Sequence, residues 1–240
     1  MFKTVRCEST GDRRNFLMLV GLAGAAVGVL PLAGTASAIE MHNRVTATAL
    51  SRVAAKRQPR AATTMQTAAA LRDLWVGHIF WVRNVSLMTF DRNDAAIKVA
   101  EQQVVANAQS IAAAIEPFYG AAANEAFFKL LAGHYGAVKA YLMATANGDA
   151  SAQATATQSL TSNAEEIAIF LSKADPYLPK DAVYGLLLAH GGHHIQQIQQ
   201  LKDRKYDAEA KTWEDMKNHV YQIADATADA LAKQFVTKFS

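Results

Sequence analysis

The chain has 240 residues, 51% of them hydrophobic and 19% charged, with a formal net charge of +3 and a mean hydropathy of +0.00. That balance excludes a disordered or fibrous chain and leaves a globular protein long enough to bury one sizeable core. Only 5 prolines and 13 glycines stand against abundant alanine, which favours helix, and no charge run has the pattern of a nucleic-acid surface, so no nucleic-acid partner is expected.

Residues 1–38 read as a cleavable export signal. Arg13-Arg14 precede an apolar run from Phe16 to Leu32, and Ala36-Ser37-Ala38 makes a small-x-small cleavage site. Arg13-Arg14-Asn15-Phe16-Leu17 resembles the twin-arginine signal; Asp12 and Met18 depart from it and leave the general secretion route open. The reading implies a periplasmic or secreted protein whose signal engages the twin-arginine export machinery. The single cysteine, Cys7, lies within this signal, so disulfides and thiolate metal ligands are excluded from the exported chain.

Residues 39–62 form a basic linker or tether. Five basic side chains between 39 and 60 face only Glu40, and this stretch could touch anionic lipid weakly. From 63 to 240 the pattern is an all-α domain, an antiparallel bundle of about six helices. The first helix covers Ala69 to Met88. The second follows Asp91-Arg92-Asn93-Asp94 and runs to about Ile115, before Pro117 and Gly120. The third spans about 121–146 and stops at Asn147-Gly148-Asp149; the fourth spans 151–173, ahead of two prolines; the fifth spans 181–203 and the sixth 208–236. No sustained period-two alternation predicts a strand.

Helical spacing puts imidazoles on apolar stripes. His78 falls with Leu71, Leu74, Val82 and Val85; His134 with Phe127, Leu131, Val138 and Tyr141; His190 and His194 with Val183, Leu187, Ile198 and Leu201; His219 with Met216 and Ile223. His193 falls off its stripe and is expected at the surface. Among carboxylates and amides, Glu166 and Asn163 share a face of the fourth helix, Asn107 joins the stripe of the second, and Asp225 follows His219 on the sixth. Without thiolates, nitrogen and oxygen donors of this kind suit iron, zinc or copper. His78, His134, His190, His194, His219 and Glu166 are therefore the candidate ligands, with Asn107, Asn163 and Asp225 behind them. Gly191-Gly192 stand where a zinc protease would carry its glutamate, and would allow close approach to the backbone.

Four segments, LRDLWVGHIFWVRN, IEPFYG, SNAEEIAIFL and HVYQIADATADALAKQF, resemble in the same order a family of exported bacterial and archaeal all-helical proteins of uncharacterised function. The resemblance covers most of residues 70–236 and carries over at His78, Asn107, Pro117, Tyr119, Gly120, His134, Asn163, Glu166, His190, His219, Asp225 and Phe235. His194 and the glycine pair lie outside its pattern. A glycosyltransferase label attached to such proteins has no support in these residues, which offer neither an Asp-x-Asp motif nor strand-helix alternation. The sequence thus leads to an exported helical protein that binds a metal ion through inward histidines, for storage, buffering, sensing or redox chemistry. The competing reading is a non-metal binding module for a small ligand or partner protein, in which the histidines form a structural polar layer. Whether the protein is an enzyme is left open.

Overall fold

A computed structural model describes residues 63–239. The expected export signal and basic linker lie outside the described residues. Those described are all-α, with no strand among them. Six long helices carry the chain: α1 (Thr64–Phe90), α2 (Asp94–Ala113), α4 (Ala121–Asn147), α5 (Ala150–Ala174), α6 (Lys180–Lys202) and α7 (Tyr206–Gln234). Their ends fall within about two residues of those the caps and breakers predict, except that α1 begins at Thr64, five residues before the expected Ala69, where Thr63 caps it by accepting from the Gln66 amide. Two single turns were not anticipated, α3 (Glu116–Tyr119), which begins beside Pro117, and α8 (Val236–Phe239).

The long helices pair as three hairpins, α1 with α2, α4 with α5, and α6 with α7. Each hairpin turns through one residue of left-handed backbone: Arg92 (φ 56°), Gly148 (φ 70°) and Arg204 (φ 58°). Only the middle position carries the glycine that this conformation favours. Asn93 and Asp149 then cap α2 and α5 by accepting from the amides of Ala96 and Ala152, satisfying donors that a helix start leaves free. Lys205 occupies the same place before α7 and provides no side-chain cap.

These turn residues are spaced by 56 positions, and so are the starts of α2, α5 and α7 at Asp94, Ala150 and Tyr206. The chain is therefore a threefold internal repeat with no insertion between these landmarks. Packing follows the repeat. The second helix of each hairpin lies against the first helix of the next, α2 on α4, α5 on α6, and α7 back on α1. The three first helices, α1, α4 and α6, also touch one another and form the innermost layer.

Equivalent positions fill the core between them. Leu71, Phe127 and Val183 are buried at one level, and Ile111, Ile167 and Ile223 reach inward from the second helices. On the other side of the histidine level, Val82, Val85, Val138, Tyr141, Leu142 and Ile198 are buried as a second apolar cluster. Aliphatic layers thus lie above and below the imidazoles. Each buried Leu, Ile or Phe contributes about 1.5–3 kcal/mol, which is what offsets the cost of enclosing polar rings between them. Phe80 is 44% exposed and packs edge-on against Trp81.

Candidate metal centre

His78, His134 and His190 stand at equal 56-residue intervals, at the same position on α1, α4 and α6. The repeat therefore brings one imidazole from each innermost helix to one level. His194, one turn after His190, supplies a fourth; its counterparts in the first two hairpins are Val82 and Val138. All four rings are enclosed, with exposures of 6%, 5%, 1% and 1% for His78, His134, His190 and His194. One nitrogen from each lies within 4.8 Å of the other three.

The closest approaches converge on one atom. His190 Nε2 is 3.4 Å from His78 Nε2 and 3.2 Å from His194 Nε2. A neutral ring nitrogen has one hydrogen to give or one lone pair to receive it, so hydrogen bonding alone cannot satisfy both approaches fully in any tautomer. The His134 ring stacks on His190 at 5.5 Å and 22°. Both His134 nitrogens, and Nδ1 of His190, are buried without a partner. Trp75 closes one side with edge contacts to His78 and His190, at 5.8 and 5.7 Å between ring centroids.

Enclosure also fixes the charge state. Burial pushes the His78 imidazole down to about 3, and its neighbour His134 adds to the effect. Burial likewise holds His134 at about 4, with Asn163 acting weakly in the other direction, although its Oδ1 and both His134 nitrogens lack a well-aligned partner. His190 and His194 are held well below the ordinary range, first by burial and then by the surrounding imidazoles. The four rings are thus neutral at physiological pH, the protonation state that binds metals.

A supporting contact recurs behind three of the rings. Asn107 Nδ2 donates to Leu74 O at 3.0 Å, Asn163 Nδ2 to Leu130 O at 3.0 Å, and His219 Nε2 to Leu186 O at 2.8 Å. Each acceptor lies four residues before a cluster histidine, so each outer helix is pinned to its inner helix at the level of the site. Asn107 and Asn163 were expected near the site, and both stand in this layer. Their Oδ1 atoms remain buried and unpaired.

Other expectations need correction. His219 is not a member of the cluster: it is half-buried on the outer helix α7, committed to the Leu186 carbonyl and packed 5.4 Å from the His193 ring. Val220, not His219, continues the buried stripe from Met216. His193, expected at the surface, is half-buried against the His219 ring. Glu166 is exposed, because Asn163 and Ile167 take the inward face of α5; it lines a surface depression with Gly133 and Gly136. Asp225 is bound at the surface in a bidentate pair with Arg72, at 2.5 and 2.7 Å. Nothing lies within 4 Å of a Cβ placed on Gly191 or Gly192, so no neighbouring helix makes the close approach that the pair would allow.

Close approach occurs instead at Gly77 and Gly133, each just before a cluster histidine. A Cβ there would stand 2.9 Å from Asn107 Nδ2 and 3.2 Å from Asn163 Nδ2. Where the third hairpin replaces the asparagine by His219, Ala189 replaces the glycine. The missed signal was in plain view as a repeat: Leu74-x-x-Gly77-His78, Leu130-x-x-Gly133-His134 and Leu186-x-x-Ala189-His190.

No family model matches the chain, and no curated protein or solved structure matches it significantly.

Proposed function

We propose that this chain is an exported metal-binding helical bundle whose ion is held by His78, His134, His190 and His194. The observation that carries this reading is the mutual spacing of four buried imidazole nitrogens. An ion bound tetrahedrally at about 2.0–2.1 Å separates its nitrogen ligands by about 3.3–3.4 Å. The pairs at 3.4 and 3.2 Å already match that edge, while the 4.8 Å limit leaves the set to contract modestly on binding. An ion would also use lone pairs that otherwise remain unmatched, each unsatisfied buried group costing about 1–3 kcal/mol.

Four neutral nitrogens with no oxygen donor disfavour magnesium and calcium and suit zinc or copper, with iron less well served for want of a carboxylate. With one His134 nitrogen on the ion, the other can donate to the unpaired Oδ1 of Asn163, the orienting contact that histidine ligands commonly make. A four-coordinate site with all ligands from protein leaves no open position, which favours storage, buffering or sensing over hydrolysis. Export to the periplasm or beyond rests on the sequence of residues 1–38. No helix among the described residues is long and apolar enough to cross a membrane.

The test is elemental analysis of untagged protein from its native compartment, together with melting curves on addition of zinc, copper or iron. Near-stoichiometric metal and a chelator-reversible rise in Tm, both lost in a His78→Ala, His134→Ala variant, are expected. Folded protein that neither contains nor takes up any of the three metals would leave the histidines as a structural polar layer or an organic-ligand site.

A further inference from the structure

A cavity of about 50 Å³ lies directly against the histidine level, with the His134 and His190 side chains in its wall. Its remaining lining is almost wholly aliphatic and aromatic, and the one hydroxyl there, Thr227 Oγ1, is spent on the carbonyl of Ile223 at 2.8 Å. Of the buried polar atoms without a partner, only His134 Nδ1 and Nε2 and His190 Nδ1 belong to residues of this wall, all at its histidine end, and a bound ion would engage one nitrogen of each ring. A water needs two to four polar partners, whereas dry apolar cavities take up small apolar molecules.

The repeat explains why the space is there. In the second hairpin, Phe127 and Phe170 stack at 5.5 Å and 9°. The third hairpin carries Val183 and Ala226 at those two positions, and Thr227 where the second has Leu171. The hairpin that contributes His190 and His194 is thus the one whose side chains are too small to fill the interior beside them. Leu186, Ala226 and Thr227 are also only half-buried, as is Leu171 of the second hairpin.

We infer that this cavity is a receptor site for an uncharged apolar molecule of two or three heavy atoms, of which dioxygen is the abundant example, seated against His134 and His190. Its capacity is about a third of the roughly 150 Å³ that accommodates benzene in an engineered apolar cavity, which sets the size limit. The consequence for function rests on the metal reading above: a guest here lies beside the proposed ion, which makes the centre responsive to a dissolved gas.

Xenon serves as the probe, followed by 129Xe exchange spectroscopy and by anomalous scattering from xenon-pressurised crystals of the full protein, with and without added metal. One xenon per chain in this cavity is expected, with loss of that site in Val183→Phe and independently in Thr227→Leu, each judged folded by circular dichroism. Oxygen-induced paramagnetic relaxation should concentrate on the methyl groups of Leu187 and Ile223 and vanish in the same variants. No xenon in the wild-type cavity, or undiminished occupancy in both filled variants, overturns the inference. Xenon binding in protein that takes up no metal keeps the receptor site and removes the metal reading. Metal uptake without xenon binding does the reverse.

Discussion

The first two hairpins and the third are built on one plan and differ where the chemistry is concentrated. In the first two, glycine precedes the cluster histidine, an asparagine from the outer helix reaches the inner carbonyl, and valine follows one turn after the histidine. In the third, the same places hold Ala189, His219 and His194. The backbone contact survives the change, because an imidazole N–H serves Leu186 O as an asparagine amide serves Leu74 and Leu130. A symmetric scaffold thus supplies three imidazoles by repetition and a fourth by local departure from the repeat. On the metal reading proposed above, three identical ligands would leave an open position on the ion, which His194 would close.

Removing the shared histidine of the third hairpin should have the largest effect. His190 Nε2 makes the close approaches to both His78 and His194, so His190→Ala should weaken metal binding by more than the 10–100-fold typical of changes behind the ligands. Competition against a chromophoric chelator measures this. His194→Val makes the third hairpin like the other two and gives a sharper test. The variant should still bind metal, more weakly, and its cobalt form should acquire an exogenous ligand such as azide with a change in visible absorption. Unaltered affinity and no response to azide would remove His194 from the ligand set.

Acid offers a second way to break the site. His78 titrates at about 3 and His134 at about 4 in the folded protein, against 6.5 for an ordinary imidazole. Below 6.5 the unfolded chain takes up protons that the folded chain refuses, so the stability these groups confer is complete above that pH and falls as the pH drops toward 4 and 3. The slope is about 1.4 kcal/mol per pH unit for each such histidine. Urea unfolding of metal-free protein should show a steep loss below pH 6.5, shallower in His134→Leu. An identical pH profile for the two proteins would contradict the enclosure of His134. The same protons compete with metal, so affinity should fall over this range.

Helical spacing, with the caps and breakers, was enough to identify the all-α class, most of the helix limits and the inward positions of His78, His134, His190 and His194. It failed at His219 for a definite reason. On α7, His219 lies three residues after Met216 and four before Ile223, while Val220 lies four after and three before. Both positions satisfy a 3.6-residue period, and only the packing of α7 outside α1 and α6 selects the valine. Glu166 and Ile167 pose the same ambiguity relative to Asn163. One-dimensional periodicity shows that a helix has an apolar face; it does not show which helices form the innermost layer. The 56-residue repeat narrows the choice to two sets, α1, α4 and α6 or α2, α5 and α7, and the recurrence of His78, His134 and His190 on the first set points to it.

Asn163 tests the layer behind the rings at a smaller scale. Asn163→Leu removes both the contact to Leu130 O and the side-chain amide that acts on His134, and should weaken metal binding by about 10–100-fold while the four ligands remain. If affinity is unchanged, Asn163 pins α5 to α4 and does nothing for the ion, which a lower Tm at constant affinity would display.

The smallest effects separate the glycines, and they do so by sign. Gly77 and Gly192 both lie inside long helices, and replacing either by alanine should gain about 0.8–1.0 kcal/mol of helix propensity. At Gly192 the new methyl meets nothing within 4 Å, so that gain should appear undiminished in urea unfolding. At Gly77 the methyl would stand 2.9 Å from Asn107 Nδ2. Asn107 must then leave Leu74 O, losing a hydrogen bond worth about 0.5–1.5 kcal/mol, and the displaced side chain adds strain of about 1–3 kcal/mol. Gly77→Ala should therefore be net destabilising by about 2 kcal/mol and should also weaken metal binding, which Gly192→Ala leaves untouched. Equal stabilisation by the two substitutions would mean that Asn107 can move at no cost, and that the glycine before the histidine is not what fits the outer helix to the inner one.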